Sequence, residues 1–238
     1  MAKRGRSLRL KELAALTGMP PGKVHRYLVS LGRTGLVEQD AASSHYGLGP
    51  VAISLGLAAL GTVDVVKSAS EILPHLRDEV GETVFLALLG NSGPVIVRLE
   101  ESERAVYVNA RVGWVLPALR TATGRVFAAF LPPAKSRALL EAERPRPDVS
   151  PPGVGSTRES IAEMLAEVRT RGLASVVGDL VPGVSALAAP VFDHEGSIAA
   201  VLGVVGQQQQ LDVDPDGHIA RVLTRTAGEL SKRLGLRE

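Results

Sequence analysis

The residues of this chain best suited to do chemistry bind an anion; none is arranged to break a bond. Thr121-Ala122-Thr123-Gly124 stands where a loop enters an apolar run of helical length. The first N–H groups of a helix have no acceptor within it, and the helix dipole adds partial positive charge, so such a start receives a carboxylate. Arg125 either adds charge to that site or reaches solvent. The same residues equally suit ordinary N-capping by Thr121 or Thr123, and spacing does not separate the two readings. Trp114, Val115, Leu116 and Leu119, on the preceding loop, either line a pocket wall or belong to the core.

Catalytic patterns are missing from the sequence. Its five histidines (His25, His45, His75, His194, His218) are scattered, with no pair at metal-ligand spacing, and there is no cysteine to supply a thiolate or a zinc site. Gly153-Val154-Gly155-Ser156-Thr157-Arg158 lacks the lysine and the preceding strand of a phosphate loop and reads as a connector. Ser185 follows Pro182-Gly183-Val184, which is no nucleophile elbow. A binding protein without cofactor or metal is therefore expected, not an enzyme.

Charge separates the chain into two parts. Residues 1–40 hold eight Lys/Arg (Lys3, Arg4, Arg6, Arg9, Lys11, Lys23, Arg26, Arg33) against three acids (Glu12, Glu38, Asp40), while the whole chain has a formal net charge of only +2. The first segment thus nets about +5 and the remainder about −3. A basic segment on an acidic body fits a polyanion partner for the segment alone, because Lys/Arg that neutralise phosphates release condensed counterions. No stretch of eighteen apolar residues lacks charge, and no apolar run of signal-peptide type follows the basic N-terminus, so a cytoplasmic protein with no membrane partner is expected.

The elements that must position these groups follow from periodicity. Residues 8–17 read as a short helix with apolar Leu10, Leu13, Ala14 and Leu16, ended by Gly18. After the turn Gly18–Gly22, residues 23–34 place Val24, Tyr27, Leu28 and Leu31 on one apolar stripe, leaving a basic outer face. Leu36–Glu38 and His45–Leu48 read as two short strands joined by a polar turn. Helix, tight turn, helix and hairpin make a winged helix-turn-helix, whose second helix fits the major groove. Lys23 and Arg26 are then the leading candidates for phosphate or base-edge contacts, followed by His25, Ser30 and Arg33, with His45 and Tyr46 at the wing.

The run LKELAALTGMPPGKVHRYLVSLGRTGLVEQD, followed by YGLGP, resembles the DNA-binding half of the isocitrate lyase regulator (IclR-type) family, and the resemblance continues through GETVFLALL, LPALRTATGRVFAAFLP, VPGVSALAAPVFDHEGSIAAVLGVVG and RVLTRTAGELSKRLG. It implies a transcriptional regulator that binds double-stranded operator DNA as a dimer or dimer of dimers and responds to a small organic acid. It also implies that the backbone amides of Ala122 and Thr123 bind the acid group and that Asp179 and Ser185 complete the pocket. Where many relatives have two serines on the last pocket strand this chain has Gly203 and Val205, which implies a more apolar wall and a ligand with a hydrophobic or aromatic part. Two further departures concern DNA. Relatives have another helix ahead of Leu8, where only seven residues stand here, and their recognition helix opens with a Lys-Ser-Thr-like run in place of Pro21-Gly22-Lys23. A sensor acting through protein partners, with a truncated DNA-binding unit, is the alternative.

The expected architecture is α+β. A winged helix-turn-helix over 1–49 is joined by an apolar linker helix over 50–63, too short to span a membrane, to a GAF-like antiparallel α/β sandwich over 64–238 that binds the effector and forms the oligomer. Within the sandwich, helices are expected at 64–80, 122–131, 133–142, 157–171 and 215–235. Strands are expected near 83–90, 93–100, 105–111, 173–178, 184–192 and 197–206.

Overall fold

The computed structural model describes residues 1, 6–61, 64–102, 110–143 and 158–237; in it the chain divides into two units, Met1–Val63 and Asp64–Glu238. In the first, helix α1 (Leu10–Thr17) starts where Glu12 accepts the Arg9 N–H at 2.7 Å and a guanidinium bond from Arg6 at 2.9 Å. It stops at Gly18, whose φ of 64° is open to glycine at little steric cost. Helix α2 (Pro21–Arg33) opens with proline at its first position, where the missing N–H costs nothing. Strands β1 (Val37–Gln39) and β2 (Tyr46–Leu48) pair antiparallel, and Leu8 exchanges both backbone bonds with Tyr46, at 3.0 and 2.8 Å. Leu8, Leu13, Ala14, Val24, Leu28, Val37 and Tyr46 form the core of this unit. The result is a helix-turn-helix with a small wing.

So small a core covers less apolar surface than the periodicity promised. Leu16 and Tyr27, expected on the inner stripes, are 52% and 53% exposed, because the contact between α1 and α2 reaches only the side of α2 that carries Val24 and Leu28. Helix α3 (Pro50–Gly61) follows, matching the apolar run read as a linker helix, with Val51, Ile53 and Leu55 exposed on the single chain.

The second unit runs α4 (Val65–Val80), β3 (Thr83–Gly90), β4 (Gly93–Glu100), α5 (Ala122–Phe130), α6 (Pro133–Ala142), α7 (Arg158–Arg171), β5 (Ala174–Val177), β6 (Val184–Phe192), β7 (Ile198–Gln207) and α8 (His218–Arg233). The strands form one antiparallel sheet in the order β4-β3-β7-β6-β5. The strand expected near 105–111 and the Pro/Gly-rich stretch at 145–156 fall, apart from residues 110 and 111, outside the described residues.

Alternation along each strand sends side chains to opposite faces, and here both faces are covered. On one, Val84, Leu86, Leu187, Leu202 and Val204 pack against the apolar stripes of α4 and α8. On the other, Phe85, Ala87, Ala188, Val201 and Val205 pack against α5 and α7. That double burial explains why β6 and β7 read as nearly continuous apolar runs although their partners are antiparallel. The second face is incompletely filled at one end, and the pocket lies there.

Candidate functional site

The start of α5 is fixed by its own residues. Thr121 adopts an extended conformation as N-cap; its Oγ1 accepts the Gly124 N–H at 3.0 Å and donates to the Pro117 carbonyl at 2.6 Å. The Arg125 N–H closes the first turn on the Thr121 carbonyl at 3.0 Å. Among the described residues nothing accepts from the amides of Ala122 and Thr123. Capping and anion binding, left open by the sequence, are therefore compatible, since the cap uses one of the orphan donors and leaves two. Gly124 serves close packing: a Cβ there would lie 2.3–2.4 Å from Pro117 and Ala118. No other residue lets the loop press so closely on the first helical turn.

Around this start the sheet and loops build a pocket of about 530 Å³, open mouth included. The loop carrying Trp114 and Leu116 is held along the outer edge of β4, where Ile96 N–H donates to Trp114 at 3.0 Å and Leu116 N–H to Pro94 at 2.7 Å. Phe85, Ile96, Val176 and Val205 supply the sheet wall. Ser185, on β6, borders the pocket through its backbone and is 1% exposed; it is in phase with Leu187, so its side chain goes to the α4/α8 face, where among the described residues its Oγ has no hydrogen-bond partner. An unpaired buried hydroxyl costs about 1–3 kcal/mol.

The pocket thus gathers Trp114, Leu116, Thr121, Ala122, Thr123, Ser185 and Val205 from the residues singled out in the sequence. The others are placed elsewhere, Val115 among them, 42% exposed. Leu119 does not line it and gives its N–H to Glu143 at 2.7 Å, while Gly124 is covered by the Pro117–Ala118 loop. The carboxylate of Asp179 is taken by Arg125, a residue only 8% exposed that neither reaches solvent nor enters the pocket; Arg125 also donates to the carbonyls of Leu119 and Ser175, at 2.8 and 3.1 Å. Gly203 lies under the ring of Phe85, its cross-strand neighbour, whose Cζ is 2.2 Å from where a Cβ would be. The wall is apolar at this point because an aromatic ring fills the space above the glycine. Sequence reasoning missed Arg120 and Phe85. Arg120 gave no signal beyond its neighbourhood to Thr121, and Phe85 looked like any apolar strand residue.

In the first unit, 3.6 residues per turn puts Lys23, Arg26, Ser30 and Arg33 on one face of α2, opposite buried Val24 and Leu28. All four are exposed, and among the described residues none of the three cations pairs with a carboxylate. His25, also exposed, lies to one side of this face and Tyr27 to the other. At the wing, His45 is half-buried with Nδ1 3.0 Å from the Ser43 carbonyl. Tyr46 departs from expectation. It is 7% exposed because it points into the core from β2, so it supports the wing from within.

A helix-turn-helix with an unpaired basic face, coupled in one chain to an α+β domain, defines a DNA-binding transcriptional regulator. Residues 57–232 match the family model described as the bacterial transcriptional regulator IclR C-terminal domain, and residues 1–41 match that of the IclR helix-turn-helix domain. The chain belongs to the IclR family. It is similar in structure to Pseudomonas aeruginosa HmgR, with 44% identity and a TM-score of 0.91 over 99% of this chain and 93% of that one. The glycerol operon regulatory protein of Streptomyces griseus is 31% identical over 239 residues, covering 97% of this chain and 90% of its own. The regulator XynR of Escherichia coli is 27% identical over 228 residues, with 96% and 90% covered. These relatives are regulators and not enzymes. No helix among the described residues is long and apolar enough to cross a membrane.

Proposed function

We propose that this regulator's hold on its operator is modulated by a small organic carboxylate with an apolar or aromatic body, bound in the pocket at the start of α5. The observation that carries this reading is the pair of uncapped amides, Ala122 and Thr123, opening into a space otherwise walled by Phe85, Trp114, Ile96 and Val205. Backbone donors at a helix start favour the acid group. The apolar walls favour a ligand with an apolar or aromatic body over a two- or three-carbon acid.

On DNA, α2 enters the major groove with Lys23, Arg26, Ser30 and Arg33 towards phosphates and base edges, and with His25 and His45 at the margins. Two copies of the chain meet a two-fold operator, and the exposed Val51, Ile53 and Leu55 of α3 supply apolar surface for pairing. The protein works in the cytoplasm, where its operator is. A gel-shift titration against the DNA upstream of its own gene, with and without benzoate, 3-phenylpropanoate and acetate, tests the reading. A selective complex that the aromatic acids weaken or strengthen, and acetate does not, is expected. A complex indifferent to every acid, or answering acetate alone, overturns it.

A further inference from the structure

The wall of the pocket carries one cation that capping and packing do not require. Arg120 lines the space beside the helix start, half-buried, and its Nε and Nη2 donate to the carbonyls of Asp179 and Leu180 at 3.1 and 3.3 Å. Those are neutral acceptors. The nearby carboxylate, that of Asp179, is consumed by Arg125, and among the described residues no acid pairs with Arg120. A guanidinium has five donors, so Nη1 and one Nη2 hydrogen remain uncommitted. Two carbonyls hold the group in place without neutralising it. A charge kept in a partly dry site and only partly satisfied favours an anion there.

We propose that Arg120 is the specificity-determining residue of the pocket: its carbonyl-anchored guanidinium selects the ionised acid over neutral molecules of the same shape. The proposal rests on the carboxylate reading above and adds a division of labour. The amides of Ala122 and Thr123 donate to any oxygen acceptor, an amide or ester carbonyl included, whereas a guanidinium rewards full negative charge and accepts bidentate pairing. Because the two carbonyls belong to the turn between β5 and β6, which also contributes Leu180 and Val181 to the pocket, Arg120 ties that turn to the charge it recognises.

Trp114 is the sole tryptophan of the chain and lines this pocket, so its fluorescence reports occupancy at one site. The experiment titrates the full-length protein and its Arg120→Gln variant with benzoate against benzamide and with 3-phenylpropanoate against 3-phenylpropanamide. The wild type is expected to prefer each acid to its amide. In Arg120→Gln that preference falls about tenfold or more, as loss of a charge-assisted bond implies, while affinity for the amides changes little. A merely structural arginine would weaken acid and amide together, leaving the ratio unchanged, and that result overturns the proposal. Should the glutamine variant not fold, Arg120→Met, with the same reach and an apolar stem, carries the same comparison. A wild-type protein that shows no preference for acids defeats the carboxylate reading itself. A wild-type preference that survives intact in the variant defeats only the assignment to Arg120.

Discussion

Thr121 does at the pocket what a single side chain does best: it removes one donor and leaves two. Its loss in Thr121→Val should cost about 1 kcal/mol of stability and, by loosening the first turn, reduce binding of aromatic acids; Trp114 fluorescence reads both. Arg125 and Asp179 form a different kind of pair, with side chains only 10% and 9% exposed. Removing one member of such a pair strands the other. Asp179→Ala is expected to lower the stability of the second unit by about 3 kcal/mol, seen as an earlier urea midpoint, and Arg125→Met on the same background should recover part of it. At the wing, Asp40 accepts the Ser43 N–H at 2.6 Å and its hydroxyl at 2.7 Å. These bonds, the hydroxyl's foremost, hold the Asp40 carboxyl below its ordinary value of 3.8. A depressed carboxylate contributes order above its unfolded value and loses it as pH falls through the lowered one. The wing turn should accordingly persist at neutral and mildly acidic pH, and an NMR titration should find Asp40 moving up towards 3.8 in Ser43→Ala.

At the scale of elements, the pairing of β3 with β7 decides the texture of the pocket. Phe85 and Gly203 are direct cross-strand partners, and the glycine makes room for the ring. Gly203→Ser puts a side chain within the ring's volume and should swing Phe85 into the ligand space, with a cost of about 1–3 kcal/mol and at least a tenfold loss of aromatic-acid binding. Gly203→Ser with Phe85→Leu relieves the overlap, and recovery of stability in the double variant is the check. Helix α2 presents a stripe in which cations alternate with small or polar residues. If Lys23 contacts a phosphate, Lys23→Ala lowers the slope of log affinity against log salt by about one unit on every sequence; a base-edge contact from Arg26 would instead relax selectivity at one position. Tyr27, exposed beside Lys23, belongs to the same experiment, since Tyr27→Ala should affect DNA binding and leave the thermal stability of the unit almost unaltered.

In the molecule as a whole, a basic helix-turn-helix unit and an α+β unit are each folded around their own cores, and the sequence displays both. Uneven charge along the chain, helix punctuation at Gly18, and period-two or period-3.6 runs are local properties, so helices, strands and the antiparallel α+β class were legible residue by residue. The helix start at Ala122, with Thr121 as a candidate cap, was legible for the same reason, because capping involves neighbours a few positions apart. Three features were decided only by tertiary structure. Asp179 meets Arg125 across 54 residues, Phe85 meets Gly203 across the sheet, and Arg120 reaches the carbonyls of a turn some 60 residues onward. Nothing in the local pattern distinguishes an aspartate that faces a ligand from one that faces an arginine. Likewise Tyr27 and Tyr46 are the same residue type on amphipathic elements, and only the packing of α1, α2 and the wing sent one outward and the other into the core. Sequence determined which surfaces must be buried; the tertiary fold decided what each polar group was buried against, because that partner is chosen by chain topology and not by spacing.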